Sequence, residues 1–279
     1  MKKFLLTALV AAATITTAFA DGRERPVTLN ELPQTARTFL SAHFGGKTLA
    51  YAVAEQKYAG DEYEVVYSDR VTVDFRPDGE WKSVSSKYGA VPDAIVPRQI
   101  KDYVASGNFS GQQVREINRG SHSWEIELSS GSEVKFDLNF KVLDIDMEHG
   151  HDNDRERAAT LSELPQTAQT FLSAHFSGKT VAYVVAEQKR AGTEYDVVYT
   201  DRTSVEFRPD GEWKSVSSEY GAVPDAIVPR QIKDFVASGN FSDRQVRQIE
   251  RGLVGWEITL SRGLEVKFDQ NFTVLDYDD

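Results

Sequence analysis

Apolar and polar positions along this chain follow two periods that take turns. Ala36, Phe39, Leu40 and Phe44 recur at i, i+3, i+4 and i+8, the single apolar stripe of a helix lying on a core. Pro33 suits the first turn of that helix, and Gly45-Gly46 ends it. The period then drops to two. Leu49, Tyr51 and Val53 alternate with small residues, Tyr63, Val65 and Tyr67 with Glu64, Val66 and Ser68, and Val71, Val73 and Phe75 with Thr72 and Asp74. Such alternation predicts strands with one covered face and one open face. Pro77-Asp78-Gly79 reads as a turn, and Trp81 to Ser85 as a fourth strand.

The plan then repeats. A second helix is predicted from about Val96 to Ser106, stopped by Gly107. After it Trp124, Ile126 and Leu128 alternate with Glu125 and Glu127, and Val134 and Phe136 with Lys135 and Asp137. Phe39 answers to Tyr103, Tyr63 to Trp124, and Phe75 to Phe136. A much closer repeat lies above this one. Leu32-Pro33-Gln34-Thr35-Ala36 returns as Leu164-Pro165-Gln166-Thr167-Ala168, and Phe75 to Trp81 returns as Phe207 to Trp213. Val91 to Asp102 returns unchanged as Val223 to Asp234. Thr28–Asp146 matches Thr160–Asp278 without a gap at about three positions in four.

The expected fold is therefore α+β, in two tandem domains, 28–146 and 160–279. Each is predicted to lay two helices on one face of an antiparallel sheet of up to eight strands, leaving the other face polar. Between them, 147–159 reads MEHGHDNDRERAA; without an apolar period, it is expected to be a solvated acidic linker, and cutting it should leave two halves that fold alone.

The first twenty residues put Lys2 and Lys3 before an uncharged Ala-rich run that ends in Ala18-Phe19-Ala20. This has the form of a secretory signal peptide, 1–20, cut after Ala20. The run is shorter than the ~20 residues that span a bilayer, so no membrane insertion is expected after cleavage. The predicted address is the periplasm or the exterior.

Taken together, the leader, the Leu32-Pro33 opening, the helix ending in His43-Phe44, the Tyr-x-Val strand, Phe75 to Trp81 and Val91-Pro92 form a pattern. It resembles the secreted PepSY-like proteins of Gram-negative bacteria, also described as beta-lactamase-inhibitor-protein-like, once in each copy. The resemblance implies a helix-on-sheet fold, an envelope role without enzymatic turnover, and no catalytic residues. Inhibitors of beta-lactamase with this shape carry disulfides. This chain has no cysteine, which argues against that particular target.

Composition narrows the chemistry further. Acids outnumber bases 43 to 32, a formal charge of −11. Loss of Lys2 and Lys3 with the leader makes the balance more acidic still, which disfavours nucleic acid. The lack of cysteine removes thiol nucleophiles and Cys-ligated metals. No phosphate loop, G-x-S-x-G elbow or H-E-x-x-H is present. No cofactor is expected, and no enzyme. His43 and His175 sit at equivalent helix ends and suit the helix dipole; His122 becomes Val254 in the other copy. The weak metal candidates are Glu148, His149, His151, Asp152 and Asp154, in a linker that lacks a proper calcium-loop spacing.

What remains is surface. Alternation counted back from Val84 puts Trp81 on the open face, and Trp213 likewise, while Trp124 and Trp256 read as core. Exposed Trp and Tyr anchor interfaces. Trp81, Trp213, Tyr88 and Tyr220 are thus the expected partner-binding residues, for an unidentified envelope or extracellular protein or peptide. The alternative is an envelope sensor of a small molecule or divalent metal.

Overall fold

The computed structural model describes residues 24–147, 156–238, 241–252 and 254–278. The first half opens with strand β1 (Glu24–Pro26) and helix α1 (Gln34–Phe44). A meander follows: β2 (Leu49–Lys57), β3 (Gly60–Tyr67), β4 (Val71–Phe75) and β5 (Trp81–Ser86). Helix α2 (Arg98–Ala105) leads into a second meander of β6 (Val114–Arg119), β7 (Ser123–Leu128), β8 (Glu133–Asp137) and β9 (Val142–Asp146). The second half repeats this as β10 (Glu156–Ala159), α3 (Gln166–Phe176), β11 (Val181–Lys189), β12 (Gly192–Tyr199), β13 (Thr203–Phe207) and β14 (Trp213–Ser218). It closes with α4 (Arg230–Ala237), β15 (Val246–Arg251), β16 (Gly255–Leu260), β17 (Glu265–Asp269) and β18 (Val274–Asp278).

In each half the strands lie in chain order in one sheet, every pair antiparallel. The sheets have nine strands, not the eight expected. The extra strand is the short β1 or β10, which pairs with the edge of the meander. Glu156–Ala159, read in the sequence as linker, is therefore part of the second sheet.

The covered face is set by strand register. Ala52, Val65, Val73, Val84, Ile117, Ile126 and Val134 stand opposite one another on seven adjacent strands. All are buried, in one cluster with Ala36, Leu40 and Phe44 of α1 and Ile100 and Val104 of α2. Both helices thus share one face, and Val184 to Val266 with α3 and α4 repeat the arrangement. Gly79, at φ 83°, closes the β4–β5 turn beneath α1. A Cβ there would stand 2.7 Å from Pro33 Cβ, so only glycine lets the turn approach the helix start.

The two halves have separate large cores and meet in a small third cluster. Ala50 and Val66 of one half pack with Ala182 and Val198 of the other, beside Tyr51 and Tyr183. These side chains come from the face opposite the helices, so part of each open face is covered by the other half.

Candidate functional site

Trp81 and Trp213 are not on the open face. Phe75 pairs with Trp81 whereas Asp74 pairs with Ser83, so Lys82 is an extra residue in β5. This β-bulge reverses the alternation between Val84 and Trp81, and the same shift separates Trp213 from Ser215. Trp81 is 9% exposed and stacks on Phe39 of α1 at 5.8 Å between ring centres, with the tilted ring of Trp124 at 5.9 Å. Trp213 is half-buried between Phe171 and Trp256 in the same manner. Arg119 and Arg251 cap the two indoles at 4.9 and 4.8 Å. Trp124 and Trp256 pack against the cores as expected.

Tyr88 and Tyr220 stand at the junction of the halves. Arg202 Nη1 donates to Glu24 Oε2 (2.7 Å) and to Tyr220 Oη (3.0 Å), and its guanidinium lies 5.4 Å from the Tyr51 ring centre. Arg70 makes the reciprocal contact with Tyr183. Lys87 pairs with Glu156 at 3.2 Å. Burial raises the Tyr88 phenol, Arg70 opposing it. A cleft of about 550 Å³ opens beside the junction, lined by Leu29, Leu49 and Tyr51 from one half and Arg202 and Tyr220 from the other. Trp81 and Trp213 thus pack on the covered side, while Tyr88 and Tyr220 stand at the junction, with Tyr220 on the cleft wall. Arg70 and Arg202, which the sequence reading missed, sit at φ 61° and 59° in turns where glycine is the easier residue.

The open face carries a different feature. In the first sheet Ser85, Glu116, Glu127, Glu133 and Asp146 stand opposite one another on five neighbouring strands. The adjoining row reads Glu64, Asp74, Ser83, Asn118, Glu125, Lys135 and Asp144. Like charges in cross-strand register destabilise a sheet. Burial raises the Glu116 carboxyl; a hydrogen bond from Asn118 opposes this, and Glu127 and Asp74 add to it. Burial and the facing Asp74 push Glu64 up to about 7. The second sheet differs: its equivalent row is Ser217, Gln248, Thr259, Glu265 and Asp278. Each acid was visible in the sequence, but the row exists only once register is known.

Residues 61–144 and 193–276 match the family model described as "Putative beta-lactamase-inhibitor-like, PepSY-like". The chain belongs to the PepSY-like family. Its two matched segments run from the third strand of each sheet to the last, without the first two strands and the first helix of each half. Among solved structures, a "putative periplasmic protein" from Bacteroides vulgatus is 41% identical, covering 44% of this chain and 96% of that one, with a TM-score of 0.43. A "putative calcium-regulated periplasmic protein" from Bacteroides thetaiotaomicron is 35% identical over 44% and 96%, TM-score 0.43. A second Bacteroides vulgatus protein, also described as periplasmic, is 32% identical over 44% and 99%, TM-score 0.42. The leader predicts the periplasm or the exterior. No curated protein matches the chain.

The metal candidates Glu148, His149, His151, Asp152 and Asp154 lie outside the described residues. Among the described residues no group of three or more acidic or histidine side chains is placed to hold a metal ion. No described helix is long and apolar enough to cross a membrane.

Proposed function

We propose that this PepSY-like chain is a non-enzymatic periplasmic binding protein that holds a basic protein or peptide against the open face of its first sheet. The observation that carries the reading is the row Glu116–Glu127–Glu133, continued by Asp146. Carboxylates brought into one cross-strand row make a face that is complementary to a cationic partner; Glu127, 9% exposed, is its most buried member. The formal charge of −11 steers basic partners toward the chain and repels acidic ones. The inhibitor-like family description is in keeping with a protein partner. The second sheet, with Gln248 and Thr259 in place of Glu116 and Glu127, is the weaker face.

The test is affinity capture from periplasmic extract on the full chain and on its Glu116→Gln/Glu127→Gln variant. The reading expects a captured protein that elutes with rising salt and is lost with the variant. Equal capture by both proteins removes the acidic row from the site.

A further inference from the structure

The buried rows on the covered faces do not stop where the core stops. Val134 stands opposite Ile145 on β9, and Val266 opposite Tyr277 on β18. Val134 and Val266 are 0% exposed, but Ile145 is 42% exposed and Tyr277 63%. Among the described residues, β9 and β18 pair on one side only. The amides of Ile145 and Tyr277 donate to the carboxylates just before them, Asp144 and Asp276, at 3.0 Å each. Local side-chain bonds of this kind hold a backbone donor until a strand replaces them. The opposite edges are blunted: β1 is three residues long and ends in Pro26. β9 and β18, VLDID and VLDYD, contain neither proline nor lysine.

We propose that β9 and β18 are docking edges for an extended segment of a partner protein in which basic and apolar residues alternate. The proposal rests on the reading of the chain as a binder of basic partners and names how such a partner is held. Strand addition takes its affinity from main-chain hydrogen bonds and its specificity from alternate side chains. A residue paired with Ile145 exchanges backbone bonds with it and carries the Val134–Ile145 row one strand further. Its two neighbours fall opposite Asp144 and Asp146, where Lys or Arg is the complementary choice. Asp276 and Asp278 flank Tyr277 in the same pattern. A second copy of this chain is the wrong occupant, because antiparallel pairing of these edges sets Asp against Asp. Two equivalent edges on one chain also allow two-point attachment.

The test uses fluorescent peptides of identical composition, one alternating Lys and Val, the other with Lys and Val in separate blocks. Binding is compared for the full chain, for the Ile145→Pro/Tyr277→Pro variant and for Glu116→Gln/Glu127→Gln. Proline removes the edge donor and is tolerated on edge strands; a thermal melt establishes that the variant is folded, and Ile145→Ala/Tyr277→Ala, which keeps both amides, serves if it is not. The proposal expects the alternating peptide to bind about tenfold more tightly than the block isomer. It expects that advantage to vanish with the proline variant and amide exchange at 145 and 277 to slow on binding. With the alanine pair the advantage is expected to shrink while both amides still slow. Equal binding of the isomers, an advantage that survives proline, or amides that exchange unchanged in the alanine pair overturns it. If both isomers bind equally and only the glutamate variant weakens them, the basic-partner reading stands and the docking edges fall. Binding of neither peptide contradicts both.

Discussion

The guanidinium carbon of Arg70, in one half of the chain, lies 4.8 Å from the centre of the Tyr183 ring in the other. Arg202 and Tyr51 repeat the contact in the opposite sense at 5.4 Å. Each pair is the other shifted by one repeat, so the junction is pseudo-symmetric: the same patch serves both partners, as in a two-fold dimer. We infer that the two separate cores are coupled through this shared junction.

Arg70→Ala with Arg202→Ala tests that coupling. Cation–π contacts are worth about 0.5–2 kcal/mol each, so a denaturant melt should lose about that much for Arg70 and more for Arg202, which also bonds Glu24 and Tyr220. Far-ultraviolet circular dichroism should not change, because neither large core includes these residues. Small-angle scattering should report a more extended molecule. Unchanged scattering and stability would make the junction incidental.

Trp81→Ala should behave as a core truncation. Loss of a buried Trp costs about 3–5 kcal/mol of stability, and Trp213→Ala, at a half-buried site, should cost less. The intrinsic fluorescence of both should be blue-shifted. A red-shifted spectrum and a small stability loss would return Trp81 to the surface, where simple alternation had placed it.

The fold was legible because its strongest signals are local. The stripe of Ala36, Leu40 and Phe44 and the alternation of Val65 with Glu64 each fix one element without reference to the others. Trp81 was misread because one extra residue, Lys82, inverts the phase, and no local signal marks a bulge in Trp-Lys-Ser. Tyr88 and Tyr220 were read as contacts for an external partner; that they stand at the junction depends on how the halves pack, which no local signal encodes. The β10 strand was hidden because its four residues have no apolar run of their own.

Stability should fall as pH rises from 5 to 8. Burial, then the facing Asp74, pushes Glu64 up to about 7, with Arg202 opposing and Glu24 and Glu55 reinforcing. Burial, then Glu206 and Glu187, pushes the equivalent Asp196 up to about 8, with Lys214 opposing. The folded chain therefore keeps protons that the unfolded chain has lost in this window, and stability declines with pH until the folded groups ionise. Glu31, held low chiefly by hydrogen bonds from Thr28, and Glu163, held low chiefly by Arg157, act below this window. The melting temperature should be higher at pH 5.5 than at 8.5, and Glu64→Gln with Asp196→Asn should flatten the difference. A melting temperature that rises over the same range would contradict the burial of these two carboxyls.

The acidic row Glu116–Glu127–Glu133 belongs either to recognition or to the fold alone. The direct measurement is a pair of numbers on one variant, Glu116→Gln/Glu127→Gln: its unfolding free energy, and its affinity for the basic partner recovered from periplasmic extract. The variant should keep its unfolding free energy to within about 1 kcal/mol, while affinity falls about tenfold or more and loses much of its salt dependence. A variant that is less stable and binds as well as the parent would show that the row belongs to the fold and not to recognition.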